Sequence, residues 1–84
     1  MMIEVRFFAA LRERVGSDRL EVSPPDSVDT VAKLVAWLER DPALADALAA
    51  TPRRMVAVNE VLGSEDSSIS QGDVVALFPP VTGG

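Results

Sequence analysis

No cysteine, no histidine and no tyrosine occurs among the 84 residues of the chain. The missing cysteines exclude disulfides and thiolate nucleophiles. With histidine also absent, the usual zinc and iron ligand sets and the imidazole base are gone. Lysine occurs once, at Lys33. Basic residues are few, eight against thirteen acidic ones, for a formal net charge of -5. No basic stripe exists to hold nucleic acid or an anionic membrane surface, so neither is expected as a partner. An acidic domain points instead to partners with a basic face. There is no apolar run of membrane-spanning length and no signal or lipidation pattern, which leads to the expectation of a cytoplasmic protein. Carboxylates, hydroxyls, arginines and Lys33 are all that remain for chemistry. A domain this small seldom builds a deep pocket, so any reaction is expected to be completed in a partner's active site.

What is present is a foldable core: 48% of the residues are hydrophobic. A chain of this length buries only about 60–65% of its unfolded surface, so its stability is expected to be modest. Met2 to Phe7 alternates apolar and polar residues as a half-buried strand does, with Ile3, Val5 and Phe7 inward. Phe8 then falls on the other face, where the following segment covers it or a partner does. Ala9 to Val15 favours a short helical turn stopped by Gly16. Arg19 to Val22 reads as a second strand, hairpin-paired with the first and ended by Ser23-Pro24-Pro25.

Ser27 is a candidate N-cap, with Asp29 in the first turn. Val28, Val31, Ala32, Leu34, Val35 and Leu38 keep helical spacing, predicting the main amphipathic helix from Val28 to about Arg40. On it, Trp37 is read as core or core rim rather than a ligand platform. Asp41-Pro42 opens a short helix, Ala43 to Ala50, ended by Thr51-Pro52. Met55 to Val58, Val61-Leu62 and Val74 to Phe78 are strands. Asn59-Glu60 forms a turn and Ile69 anchors the polar 64–70 loop. Two strands, a helix and then three strands suit an α+β fold, a ubiquitin-like β-grasp. It has a mixed sheet of four to five strands, one main helix across one face and a short second helix. The crossover helix lets the first and last strands lie parallel in the middle of the sheet.

The last strand runs into Phe78-Pro79-Pro80-Val81-Thr82-Gly83-Gly84. Proline cannot donate to a ladder and holds its neighbours extended, so Pro79 and Pro80 end the strand stiffly. Four residues from Val81 reach at most roughly 13–14 Å. Two terminal glycines add no side chain and can follow a channel too narrow for a Cβ. The expected organisation is a β-grasp domain over residues 1–80 and a flexible C-terminal tail over 81–84 that offers the Gly84 carboxylate to another protein.

Across nearly the whole chain these stretches resemble the small subunits of molybdopterin synthase, sulfur carriers of the β-grasp type. The resemblance rests on Val5-Arg6-Phe7-Phe8-Ala9, Leu11-Arg12-Glu13, Val15-Gly16, Ala57-Val58-Asn59, Gly72-Asp73-Val74-Val75-Ala76 and the Phe-Pro-Pro-Val-Thr-Gly-Gly ending. Segment 38–54 matches nothing diagnostic. The resemblance implies that an adenylating, E1-like enzyme uses ATP to join the Gly84 carboxylate to AMP, and that sulfur then replaces the adenylate as a thiocarboxylate. It further implies donation of that sulfur to cyclic pyranopterin monophosphate in the large subunit, within a heterotetramer, for molybdenum cofactor biosynthesis. The chain is then a non-catalytic sulfur donor in a heteromeric sulfurtransferase, with no permanently bound cofactor and no metal. Gly83 keeps the tail slim. Phe8, Leu62 and Phe78 form an apolar patch for both partners, continued by Pro79, Pro80, Val81 and Thr82. Leu62 either joins that patch or closes the core, and Arg12 either pairs with a partner carboxylate or is simply solvated. Three rival readings remain: a carrier for thiamine or tRNA thiolation, a ubiquitin-like protein modifier, and a plain interaction module whose tail is idle.

Overall fold

A computed structural model describes residues 1–80; residues 81–84, on which the tail expectation falls, lie outside the described residues. The elements run β1 (Ile3–Phe7), α1 (Ala9–Val15), β2 (Arg19–Val22), α2 (Val31–Leu38), α3 (Pro42–Ala49), β3 (Met55–Val58), β4 (Val61–Leu62) and β5 (Val74–Phe78). The five strands form one mixed sheet in the order β2-β1-β5-β3-β4. β1 and β5 pair in parallel at its centre, and every other pairing is antiparallel. This is the expected β-grasp topology.

One face of the sheet is the floor of the core. Ile3, Val5 and Phe7 of β1 and Val75 and Leu77 of β5 are essentially inaccessible, as the alternation requires. Leu11, Val31, Leu34, Leu38 and Leu48 close over them from the three helices. Trp37 sits half-buried on the rim, with the Arg40 guanidinium 6.0 Å from its ring centroid. Segment 41–54 is structural: Leu44, Ala47 and Leu48 of α3 are buried, and Asp41 caps its start by accepting from the Ala43 amide at 3.0 Å. Arg54 donates to the Leu48 and Thr51 carbonyls at 3.1 Å, satisfying acceptors at the helix end.

The main helix is shorter than its apolar spacing predicts, and its cap is Thr30 rather than Ser27. The reason is tertiary. The 64–70 loop straps the helix start: the Val31 amide donates to the Ser67 carbonyl at 3.0 Å and the Ala32 amide to the Glu65 carbonyl at 2.9 Å. The Thr30 hydroxyl accepts from the Lys33 amide, and Thr30 bridges to Ser68. Val28 is buried, but within the turn that precedes the helix. Asp29 likewise precedes the first turn and pairs with Lys33 at 2.9 Å. Buried Ile69 pins the strap, with its amide on the Asp29 carbonyl at 3.0 Å. Segment 9–15 is a complete helix of seven residues, so three helices of similar length cover the sheet.

Candidate functional site

Among the described residues the opposite face of the sheet carries no helix, and its side chains follow from the register. Leu62, Ala57, Ala76, Arg6 and Arg19 are successive partners across β4, β3, β5, β1 and β2. Met55 and Phe78 pair in the next row. The face is therefore apolar toward β4 and charged toward β2. On the charged side Glu4 binds Arg6 and lies 4.0 Å from Arg19.

Phe8 completes the apolar half. It follows β1 directly and caps α1 with its backbone alone. Its amide donates to the Leu77 carbonyl at 3.2 Å, and its carbonyl accepts from the Arg12 amide at 3.3 Å. The main chain thus holds Phe8 at both ends while the residue stays 47% exposed. The following residue, Ala9, takes φ 54°, a left-handed conformation that costs an ordinary residue about 1 kcal/mol. That bend turns the chain from sheet to helix without burying the ring. Phe8 and Phe78 meet edge to face, with centroids 6.5 Å apart and planes at 87°. A shallow depression of about 430 Å³ is lined by Phe8, Ala57, Glu60, Ala76 and Phe78. β5 ends at the depression, and Pro79 and Pro80 follow it outside any regular element.

The structure brings Phe8 and Phe78 into direct contact and settles Leu62. At 63% exposed, Leu62 does not close the core; it stands at the β4 end of the same face. Arg12 is exposed and lines a neighbouring depression of about 420 Å³ with Arg6, Phe8, Asp18 and Arg19. It makes no ion pair among the described residues. The residues rimming the Phe8 end of the patch are thus mostly arginines, although the chain as a whole is acidic. Val81, Thr82, Gly83 and Gly84 lie outside the described residues.

Sequence reasoning missed the clamp that shapes the β4 side. Asn59 and Glu60, at φ 51° and 68°, make the two-residue turn between β3 and β4. The Asn59 side chain donates to Asp73 Oδ1 at 3.1 Å and accepts from the Val74 amide at 2.9 Å. The Asn59 bond, together with the Ser70 amide on the second oxygen, holds the Asp73 carboxyl below the usual carboxylate range. The only sequence signal was an asparagine in a short turn between apolar runs.

Fold and site together define a ubiquitin-like β-grasp domain with an apolar open face beside the end of its central strand. The chain belongs to the ThiS family, which matches residues 5–84. It is 42% identical over 84 residues to the molybdopterin synthase sulfur carrier subunit of Escherichia coli (strain K12), covering 99% of this chain and 100% of that protein. Among solved structures, the complex of subunits 1 and 2 of molybdopterin-converting factor from Helicobacter pylori 26695 matches with a TM-score of 0.67 and 28% identity, covering 100% of both chains. H. volcanii small archaeal modifier protein 1 matches with a TM-score of 0.69 and 28% identity, covering 95% of this chain and 98% of that one.

Proposed function

We propose that the chain is the sulfur carrier of a molybdopterin synthase, with the globular part docking and Gly84 reacting. One observation carries the reading. A chain 42% identical throughout to a protein of that name gathers exposed apolar side chains around the strand end that leads to Gly83-Gly84. A carboxylate is a poor electrophile, so an adenylating enzyme first joins Gly84 to AMP from ATP, releasing pyrophosphate. A persulfide sulfur then attacks the terminal carbonyl carbon and AMP departs, leaving an acyl disulfide. A thiol of the sulfur donor then attacks the donor-side sulfur of that bond, forms a disulfide with it and releases the thiocarboxylate. The Phe8–Phe78 patch and Leu62 bind first the activating enzyme and then the larger synthase subunit, in a heterotetramer. Residues 81–84 reach into each active site as a tail distinct from the 1–80 domain. The proposed setting is the cytoplasm, where ATP for that activation is at hand. The reading requires Gly84 to be the free terminus.

The test is intact mass after incubation with the activating enzyme, ATP and a sulfur source, followed by molybdopterin formation with the larger subunit. Exchange of one oxygen for sulfur on wild type, and loss of both activities when one alanine is added after Gly84, are expected. Full turnover by the lengthened chain would refute the proposal. The likeness to a protein named as a modifier favours one second reading, conjugation through Gly84. Heavier adducts on other proteins, without sulfur exchange, would select it.

A further inference from the structure

Among the described residues β2 is an edge strand whose charges are mismatched to β1, its one paired strand. Arg19 lies directly opposite Arg6, and Glu21 directly opposite Glu4. Like charges in that position destabilise a strand pair. Glu4 relieves part of the conflict by binding Arg6 and approaching Arg19 at 4.0 Å, but Glu21 has no ion-pair partner among the described residues.

The hydrogen-bonding phase shows which groups β2 offers outward. The Phe7 amide donates to the Asp18 carbonyl at 2.9 Å, so with a period of two Asp18, Leu20 and Val22 turn their backbone groups toward β1. Arg19 and Glu21 turn theirs away from the sheet. Ser17 confirms this by donating its hydroxyl to the Arg19 carbonyl at 2.8 Å. Beside the edge, Leu20 and Val22 share an open groove of about 460 Å³ with Trp37 and Leu44, which the charged Glu21, Arg40 and Asp41 also line.

We propose that a second copy of this chain docks here, pairing β2 antiparallel with its own β2 about a two-fold axis at Leu20. Only odd-numbered residues can face each other, because they alone present outward groups. Centring on Arg19 would oppose two arginines, and centring on Glu21 two glutamates. Centring on Leu20 sets Arg19 of each copy opposite Glu21 of the other, giving both charges the partner that β1 denies them. Leu20 then meets Leu20 of the second copy beside the two grooves. β2 and β4 are opposite edges of the sheet, so the Ala57, Ala76 and Phe78 part of the open face lies away from the paired edge, while Phe8 neighbours Arg19.

Four-residue strands make a small interface. Sedimentation of the free chain from about 10 μM to about 1 mM is therefore the test, since small interfaces associate weakly. A reversible dimer is expected, with Trp37 emission changing along the same isotherm. Arg19→Glu and Glu21→Arg should each weaken it about tenfold or more, because each places like charges face to face. An equimolar mixture of the two variants should associate at least as tightly as wild type. A variant that merely misfolded would not recover in the mixture. Ser17→Ala should strengthen the dimer a few-fold by releasing the Arg19 carbonyl. The proposal is overturned by a monomer at about 1 mM, by a mixture no tighter than its components, or by a dimer that Leu62→Asp abolishes and the β2 variants do not.

Discussion

Leu62→Ala separates docking from folding in one substitution. Leu62 is 63% exposed on a two-residue strand, and it shares the open face with Ala57 and Ala76. Full burial of a leucine side chain is worth about 1.5–3 kcal/mol, so covering the exposed part contributes about 1–2 kcal/mol. Alanine keeps a methyl group, leaving a loss of about 1–1.5 kcal/mol, or a Kd about five- to twelvefold weaker. Folding stability should change by less than about 0.5 kcal/mol, because little of the side chain is covered in the free domain. Titration calorimetry against the larger synthase subunit measures the first quantity and urea unfolding the second. A core residue would behave in the opposite way, costing about 2–5 kcal/mol of stability. Unchanged affinity with a loss of that size would refute the argument.

Asn59→Gly keeps the left-handed turn and removes two side-chain hydrogen bonds, so it should cost about 1–2 kcal/mol. Asn59→Ala adds the left-handed penalty, for about 2–3 kcal/mol in total and a Tm lower by about 10 °C or more. Equal costs in thermal unfolding would show that the positive φ of Asn59 is not what selects the residue. The Asp73 carboxyl is held below its ordinary range chiefly by Asn59, then by the Ser70 amide. Its contribution to stability is therefore fully present above the unfolded value of about 4, and is lost as pH falls through the lower folded value. Asp73→Asn should flatten the stability profile below about pH 4. A slope identical to that of wild type would assign the acid sensitivity to other carboxyls.

The first strand and its inward face were legible because a two-residue alternation needs no distant information; Ile3, Val5 and Phe7 all lie where it puts them. The uniformly apolar Val74–Phe78 shows no such alternation, and only the structure buries Val75 and Leu77. Asp41-Pro42 and Gly16 were legible for the same reason, since caps act within one turn. The α2 start was not. Its amides are satisfied by Glu65 and Ser67, more than thirty positions away, so Val28 kept a helical spacing without a helical conformation. Phe8 was marked as off the core face, but its exposure depends on a left-handed Ala9 and on the Phe78 ring arriving from the other end of the chain.

Composition alone determined that this chain brings no thiol and no imidazole of its own; the reactive group proposed for it is a main-chain carboxylate. Net charge does not say how the charges are distributed. The total of -5 suggested a basic partner surface, yet arginines rim the Phe8 end of the open face. Only tertiary structure could decide this, because strand pairing chooses which residues share a face. The same pairing set Arg19 against Arg6 and Glu21 against Glu4, leaving the β2 edge with charges that its own sheet does not match.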